Sequence, residues 1–243
     1  MSAPHLEILA DPEALARRVA DWLVAAAVGS EGPFGVALSG GSTPRRLYEL
    51  LSDPPYREVF PWARTHWFWG DERFVPHDSP NSNYRMVRDA MLARAPVPTG
   101  NIHPIPTEGL TPQEAALSYE NELKGFYGAP TLKPDRPLFD VTFLGLGPEG
   151  HIASLFPGTA ILSERLRWVG AVIGAKAEPR ITLTYPALES SGAIAVLVTG
   201  AAKRPVLEKL LKRDPDLPAA HLHPVQGTLH LFMDRAAAPR EAS

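Results

Sequence analysis

Phe139-Asp-Val-Thr-Phe-Leu-Gly-Leu146 is the stretch that decides the fold. It is almost continuously apolar, as strands covered on both faces tend to be. Further strand patterns occur at residues 34–39, 65–69, 102, 168–173, 180–184, 193–199 and 229–234. Helical patterns separate most of them, at residues 12–28, 44–51, 83–94, 112–127 and 201–212. The alternation predicts an α/β fold with a mostly parallel sheet and helices on both faces, and the closely spaced strands of residues 180–199 predict a small antiparallel portion.

Composition limits the possible functions of this chain. Its 243 residues are 44% hydrophobic and 21% charged, which suits a single globular domain spanning residues 1–243. The absence of cysteine excludes disulfides, thiolate metal sites and a cysteine nucleophile, and it fits a cytoplasmic location. We find no signal-peptide pattern and no apolar run long enough to span a bilayer. A net charge of −3 with dispersed basic residues argues against binding to nucleic acid.

The loop Ser39-Gly-Gly-Ser-Thr-Pro44 lies between a predicted strand and a predicted helix. Ligands of open parallel sheets bind beyond the carboxyl ends of the strands, so loops in this position are candidate sites. Gly40 and Gly41 let the backbone approach an anion, Ser42 and Thr43 add hydroxyl donors, and a helix N-terminus favours phosphate. The Gly-Lys-Ser/Thr ending of a Walker A loop is missing. The alternative is a tight turn in which Thr43 only caps the helix.

Gly70-Asp-Glu-Arg73 follows the predicted strand at residues 65–69. Asp71 suits recognition of a polar substrate, and the guanidinium of Arg73 can bind phosphate or carboxylate in a bidentate manner. The alternative is a local ion pair between Arg73 and a carboxylate that shapes the loop. Downstream, Ser82 or Asn83 can cap the next helix. For Asn83, this capping role is the structural alternative to a substrate contact.

Gly145-Leu-Gly-Pro-Glu-Gly-His151 has the Gly-x-Gly-x-x-Gly spacing of a dinucleotide site. That reading is weakened because Pro148 removes an amide donor and Pro157-Gly158 cuts any following helix short. His151 lies just beyond the glycine turn, and imidazole is the side chain best matched to proton transfer near neutral pH. The alternative is a histidine with only local hydrogen bonds. A Gly-x-Ser-x-Gly elbow is absent from the sequence, which argues against a serine hydrolase.

Two later cations complete the candidate set. Arg180 begins a predicted strand, and Lys203 lies in the first turn of a predicted helix, where a cation opposes the helix dipole. An anionic ligand would offset the unfavourable interaction between Lys203 and the helix dipole. The structural alternative is that Lys203 is solvated and binds no ligand. The histidines at positions 77, 221 and 223 invite a metal reading, but none has a standard zinc spacing. We therefore predict no metal and no cofactor.

The order of these motifs resembles that of the glucosamine-6-phosphate isomerase/6-phosphogluconolactonase superfamily, over nearly the whole chain. The His-Ile-Ala-Ser-Leu-Phe-Pro segment at residues 151–157 is similar to the lactonase branch. The deaminase branch carries a catalytic glutamate soon after the histidine, and residues 154–157 here contain no acid. Lactonases usually have Asp-Gly-His, whereas this chain has Glu149-Gly150-His151. The resemblance implies a modified Rossmann-like fold.

The resemblance also implies an activity, namely hydrolysis of 6-phosphogluconolactone in the oxidative pentose phosphate pathway. His151 would be the general base, Glu149 would orient the imidazole or a water, and Arg73 would bind phosphate or stabilise the oxyanion. The implied substrate-binding residues are Gly40, Gly41, Ser42, Thr43, Asp71, Asn83, Arg180 and Lys203. The implied partner is this small phosphorylated sugar lactone, with the chain a monomer or small homo-oligomer. The alternatives are an amino-sugar-phosphate isomerase/deaminase and a non-catalytic sugar-phosphate sensor.

Overall fold

The computed structural model describes residues 4–240. The predicted domain of residues 1–243 therefore extends three residues beyond this range at each end. The strands are β1 (His5–Leu9), β2 (Phe34–Leu38), β3 (Thr65–Trp69), β4 (Asp71–Arg73), β5 (Ile102–His103), β6 (Phe139–Gly145), β7 (Val169–Val172), β8 (Arg180–Leu183), β9 (Ser191–Val198) and β10 (Thr228–Asp234). The α-helices are α1 (Pro12–Gly29), α2 (Ser42–Leu51), α3 (Tyr56–Val59), α4 (Asn83–Val87), α5 (Pro112–Tyr127), α6 (Tyr185–Glu189) and α7 (Arg204–Leu211).

Two sheets organise these elements. Seven strands form a sheet in the order β1-β10-β9-β6-β2-β3-β5, and every pairing in it is parallel. A second, three-stranded antiparallel sheet has the order β4-β8-β7. The predicted α/β fold, with a mostly parallel sheet and a small antiparallel portion, is confirmed.

Strand β6 lies in the middle of the large sheet, between β9 and β2. Its apolar side chains are buried, as its continuous hydrophobic pattern predicts. Two polar residues are also satisfied inside: the Thr142 hydroxyl bonds that of Ser191 on β9 at 2.8 Å, and Asp140 accepts a 2.7 Å hydrogen bond from the Gly35 amide of β2. Because neighbouring strands are parallel, the carboxyl ends of β2, β6 and β9 meet at one edge.

Several element boundaries differ from the predictions. Strand β1 was not predicted, because its apolar side chains Leu6 and Ile8 are 50% and 58% exposed at the sheet edge and give no buried pattern. Residues 71–73 form a strand, not a loop, because they pair with β8. The antiparallel sheet takes β8 from the predicted region, whereas β9 belongs to the parallel sheet.

The helices differ from their predicted limits in a similar way. The pattern at residues 83–94 is α-helical only to Val87 and continues as a π-helical turn over Arg88–Leu92, where the Ser52 hydroxyl donates to the carbonyl of Ala90. The helix predicted at 201–212 begins as a 3₁₀ turn, Ala201–Lys203, because the proline that follows Arg204 fixes the first α-helical turn only there. Within residues 4–240, no helix has the length and apolar character needed to cross a membrane.

Candidate active site

A cavity of about 340 Å³ opens at the carboxyl ends of β2, β6 and β9. This is the edge where an open parallel sheet binds its ligands. Nine of the eleven predicted site residues line the cavity: Gly40, Gly41, Ser42, Thr43, Asp71, Arg73, Asn83, His151 and Lys203. Glu149 and Arg180 do not line it. The structure thus brings together four loops that are far apart in the sequence.

The glycine loop forms one wall of the cavity. A side chain at Gly40 would overlap the amide of Asn83, so glycine is required for the close approach of these two segments. Gly41 has φ of 105°, in the left-handed region that favours glycine. The Asn83 amide in turn donates to the Asp71 carbonyl at 2.9 Å. The two glycines therefore fix the contact between this loop and the segment after β3.

Helix α2 begins at Ser42, two residues before the predicted start, with Gly41 as its N-cap. No side chain caps its first turn, so the structure does not support the alternative in which Thr43 only caps the helix. The hydroxyl of Thr43 lies instead 2.6 Å from that of Thr199, which follows β9. An α-helix leaves its first amides without helical partners, and no side chain takes that place here. The wall presents a helix N-terminus suited to an anion.

Glu72 is a structural residue, although its sequence neighbours line the cavity. Its side chain is 1% exposed. Its carboxylate accepts hydrogen bonds of 2.7 to 3.0 Å from the amides of Arg73, Asn83 and Tyr84 and from the Ser82 hydroxyl. Burial raises the pKa of Glu72, and these hydrogen bonds oppose that rise. Glu72 thereby holds the segment that carries Asp71, Arg73 and Asn83.

Asp71 and Arg73 present a carboxylate and a guanidinium to the same cavity. Asp71 accepts a 2.6 Å hydrogen bond from the buried hydroxyl of Ser154. The Nη1 of Arg73 donates to the Asn81 carbonyl at 2.7 Å. In the part of the chain that the structure describes, Arg73 forms no salt bridge with a carboxylate, so the alternative of a shaping ion pair fails. Ser82, not Asn83, caps α4.

The imidazole of His151 is packed closely from two sides. Any side chain at Gly147 would overlap its Nδ1 and Cε1 atoms, so the ring lies directly against the Gly147 backbone. The ring of Phe156 lies 4.7 Å away between centroids. Burial lowers the pKa of His151, whereas the charges of Glu149 and Asp71 raise it. The ring is therefore held neutral more readily than a solvated imidazole, which is the state that a general base requires.

Glu149 lies beside the imidazole but outside the cavity wall. Its Oε2 is 3.2 Å from Nδ1 of His151, within ion-pair distance, and this buried nitrogen has no other partner among residues 4–240. Its Oε1 accepts a 2.6 Å hydrogen bond from Nζ of Lys176. Burial alone would raise the pKa of Glu149, but the bond from Lys176 and the nearby cations outweigh it and bring the pKa to about 2.

The two later cations differ in position. Lys203 lines the cavity, and its Nζ donates to the Leu146 carbonyl at 2.7 Å. Arg180 lies opposite Arg73 across the β4–β8 pair, and its side chain is 12% exposed. Its Nη1 is buried with no hydrogen-bond partner in the described residues. Burial and the charge of Arg73 lower the pKa of Arg180. Arg180 does not line the cavity but lies beside Arg73, which does, so its substrate-binding role stays a prediction.

Two alternatives drawn from the sequence lack structural support. After β6 the chain forms turns, and no α-helix begins before α6 at Tyr185, so the spacing at residues 145–150 has no helix to receive a pyrophosphate. Over residues 4–240, no group of three or more histidine, aspartate and glutamate side chains is arranged to hold a metal ion. The imidazoles of His77 and His221 instead bond backbone carbonyls at 2.8 and 2.7 Å.

Some residues of the cavity were not assigned from the sequence. Ser39 and Thr199 follow the ends of β2 and β9, so their position after a strand was the available signal. Gly147 was noted only as part of a glycine spacing. Ala153 also lines the cavity, with φ of 45°, which is uncommon for a residue that is not glycine. The sequence carries no signal for that backbone conformation.

Comparisons with known proteins agree on the family. A model of the family described as glucosamine-6-phosphate isomerases/6-phosphogluconolactonase matches residues 10–231. The chain is 39% identical over 243 residues to a 6-phosphogluconolactonase of Synechocystis sp., covering 97% of each chain.

Solved structures give the same result. A 6-phosphogluconolactonase from Thermotoga maritima has a TM-score of 0.81 at 31% identity, covering 95% of this chain and 100% of that one. A 6-phosphogluconolactonase from Trypanosoma brucei has a TM-score of 0.84 at 29% identity, covering 98% of each. The resemblance inferred from the motifs is confirmed.

Proposed function

This chain belongs to the family of glucosamine-6-phosphate isomerases and 6-phosphogluconolactonases, and from that premise we propose that it hydrolyses 6-phosphogluconolactone to 6-phosphogluconate. The observation that carries the proposal is a partly buried imidazole, His151, in a cavity that also contains a helix N-terminus and a lysine. A general base beside an anion site is what hydrolysis of a phosphorylated ester needs.

The geometry supports a simple mechanism. His151 takes a proton from water as the water attacks the lactone carbonyl, and it then protonates the ring oxygen as that oxygen leaves. General base catalysis of this kind contributes about 10²–10⁴-fold to a rate. Glu149 acts on the imidazole from outside the cavity, at 3.2 Å from Nδ1, and positions it. Arg73 supplies a cation that binds the phosphate or stabilises the oxyanion.

The phosphate group is assigned to the wall formed by the glycine loop and α2. Gly40, Gly41, Ser42, Thr43 and Lys203 line the cavity. Their backbone amides, hydroxyls and ammonium group would hold the phosphate. Arg180, the partner of Arg73 across the β4–β8 pair, would reinforce this positive field. Asp71 and Asn83 are left to contact the sugar hydroxyls. These roles, the absence of a cofactor, a cytoplasmic location and the monomeric or small homo-oligomeric state are predictions.

Lactone hydrolysis is favoured over deamination by the absence of an acid in residues 154–157. A deaminase of this superfamily needs an acid soon after the histidine, and this chain has Ser154, whose buried hydroxyl is committed to Asp71. The deciding experiment is hydrolysis of freshly generated 6-phosphogluconolactone, in the presence of EDTA and with the spontaneous rate subtracted. Thermal stabilisation by 6-phosphogluconate without turnover would favour the sensor, and ammonia release from glucosamine 6-phosphate would favour the deaminase.

The pH dependence of kcat/KM should show an acid limb below the pKa of a solvated imidazole. Burial lowers the pKa of His151, and the base is active only when neutral, so activity is retained at lower pH than a solvated histidine would allow. The measurement is the pH profile of lactone hydrolysis over about pH 5 to 8. An acid limb at or above the ordinary imidazole value would contradict the assignment.

Replacement of Lys203 should affect binding more than chemistry. Lys203→Ala removes a cavity cation, so KM is expected to rise about tenfold while kcat changes less than about threefold. Lys209→Ala is the matched control, because Lys209 is exposed on α7, the helix that follows Lys203, and does not line the cavity. Steady-state kinetics give both parameters, and an unchanged KM would remove Lys203 from the phosphate site.

A further inference from the structure

Lys176 lies in the segment between β7 and β8, and it contacts both side chains that flank the catalytic imidazole. Its Nζ donates to Oε1 of Glu149 at 2.6 Å. The same ammonium group lies 4.9 Å from the centroid of the Phe156 ring. Glu149 and Phe156 are themselves the neighbours of His151, at 3.2 Å from Nδ1 and 4.7 Å between ring centroids. Lys176 does not line the cavity, but it is linked to the imidazole through the side chains of Glu149 and Phe156.

The carboxylate of Glu149 is divided between two partners. One oxygen accepts the bond from Lys176, and the other lies 3.2 Å from Nδ1 of His151. Without a second cationic partner, this carboxylate would interact more strongly with the imidazole and would favour the protonated ring. A protonated His151 cannot accept a proton from water. The bond to Lys176 therefore opposes the inactive state.

The charged groups around His151 come from several elements. Glu149 belongs to its own turn, Asp71 faces it from β4, and Lys176 faces it from the segment before β8. Arg73 and Lys203 line the same cavity. The two carboxylates raise the pKa of the imidazole, whereas burial and the charge of Lys176 lower it.

We propose that Lys176 is a positioning residue for lactone hydrolysis, because it holds one oxygen of Glu149, offsets the charge of that carboxylate beside His151 and so keeps the imidazole in its basic form. This inference rests on the proposed function. Lys176 is the cation that neutralises Glu149, and it does so at a solvent-accessible position with a side chain that is 40% exposed. Its replacement can therefore alter the electrostatics of the site while leaving the core packing unchanged.

The test compares Lys176→Met with the wild type by two measurements. The first is the pH profile of kcat/KM, and the second is the NMR titration of the His151 ring protons. In Lys176→Met the acid limb should move to higher pH, so that kcat/KM at about pH 5.5 falls about threefold relative to wild type, with less than about twofold change on the plateau. The His151 titration should move in the same direction.

Three variants make the test specific. Lys176→Arg keeps the cation and should restore the wild-type profile. Lys133→Met removes an exposed lysine from the loop before β6, at the opposite end of that strand from the site, and should change nothing. In a Glu149→Gln background, Lys176→Met should produce a much smaller shift, because the intermediate carboxylate is gone.

The outcomes separate this inference from the proposed function. An unshifted His151 titration in Lys176→Met overturns the inference, and so does an equal shift in the Glu149→Gln background, since Lys176 would then not act through Glu149. Absence of lactone hydrolysis by the wild type overturns the proposed function alone, because the NMR titration still reports the coupling between Lys176 and His151.

Discussion

His151→Ala is expected to lower kcat for lactone hydrolysis by about 10²–10⁴-fold while leaving the affinity for 6-phosphogluconate nearly unchanged. The variant removes the proposed base, whereas the glycine loop, α2 and Lys203, which are assigned to the phosphate, stay in place. The ring lies at the cavity wall and is partly exposed, so its removal should leave the folded state intact. Stopped-flow or coupled assays with the spontaneous rate subtracted measure kcat, and calorimetry measures the affinity.

His221→Ala is the matched control for that experiment. His221 is exposed, bonds the Pro215 carbonyl and does not line the cavity, so its variant should keep wild-type turnover. Near wild-type turnover in His151→Ala would remove His151 from the role of base. Loss of turnover together with loss of binding would instead show that His151 contributes mainly to holding the ligand.

Gly147→Ala is expected to lower kcat by about 10²-fold, because displacement of a catalytic group by about 1 Å has effects of that size. The methyl group would overlap the Nδ1 and Cε1 atoms of His151, so the imidazole must move. Gly147 is not among the glycines with positive φ, so the backbone accepts alanine and the effect arises from the displaced ring. The measurements are kcat and the melting temperature. Only kcat should fall, and the melting temperature should change little.

Two further variants test that interpretation. Gly125→Ala lies in α5 with no atom within 4 Å of the new methyl group, so it should retain full activity. If Gly147 acts only through the imidazole, Gly147→Ala should add no further loss in a His151→Ala background. Additive losses in the double variant would show that Gly147 affects catalysis by another route.

The strand pattern predicted most of the large sheet and the edge that carries the site. The strand β6 is predicted by its apolar run, because both of its faces are covered. The site is predicted at one edge, because parallel strands bring the loops that follow them together there. Strand β1 escaped prediction because its exposed apolar residues mark an edge and not a core. Strand β4 escaped because three residues carry no periodicity, and its pairing with β8 spans more than 100 residues of sequence.

The sequence also predicted which loops meet, but not the contacts that arrange them. His151 could be proposed as the general base from its position after a strand and a glycine turn, since an imidazole there can transfer protons near neutral pH. Glu72 looked like a polar loop residue, because only the fold shows that four donors surround its carboxylate. Lys176 gave no signal at all, since it meets Glu149 across 27 residues in a segment without a motif.

The bond between Thr43 and Thr199 spans 156 residues of the chain and links the loop after β2 to the loop after β9. A ligand in this cavity therefore contacts segments from early and late parts of the sequence. It binds the folded protein, because the unfolded chain does not hold these segments together. Binding should raise the free energy of global unfolding, by about 2.7 kcal/mol at a ligand concentration of about 100 times Kd.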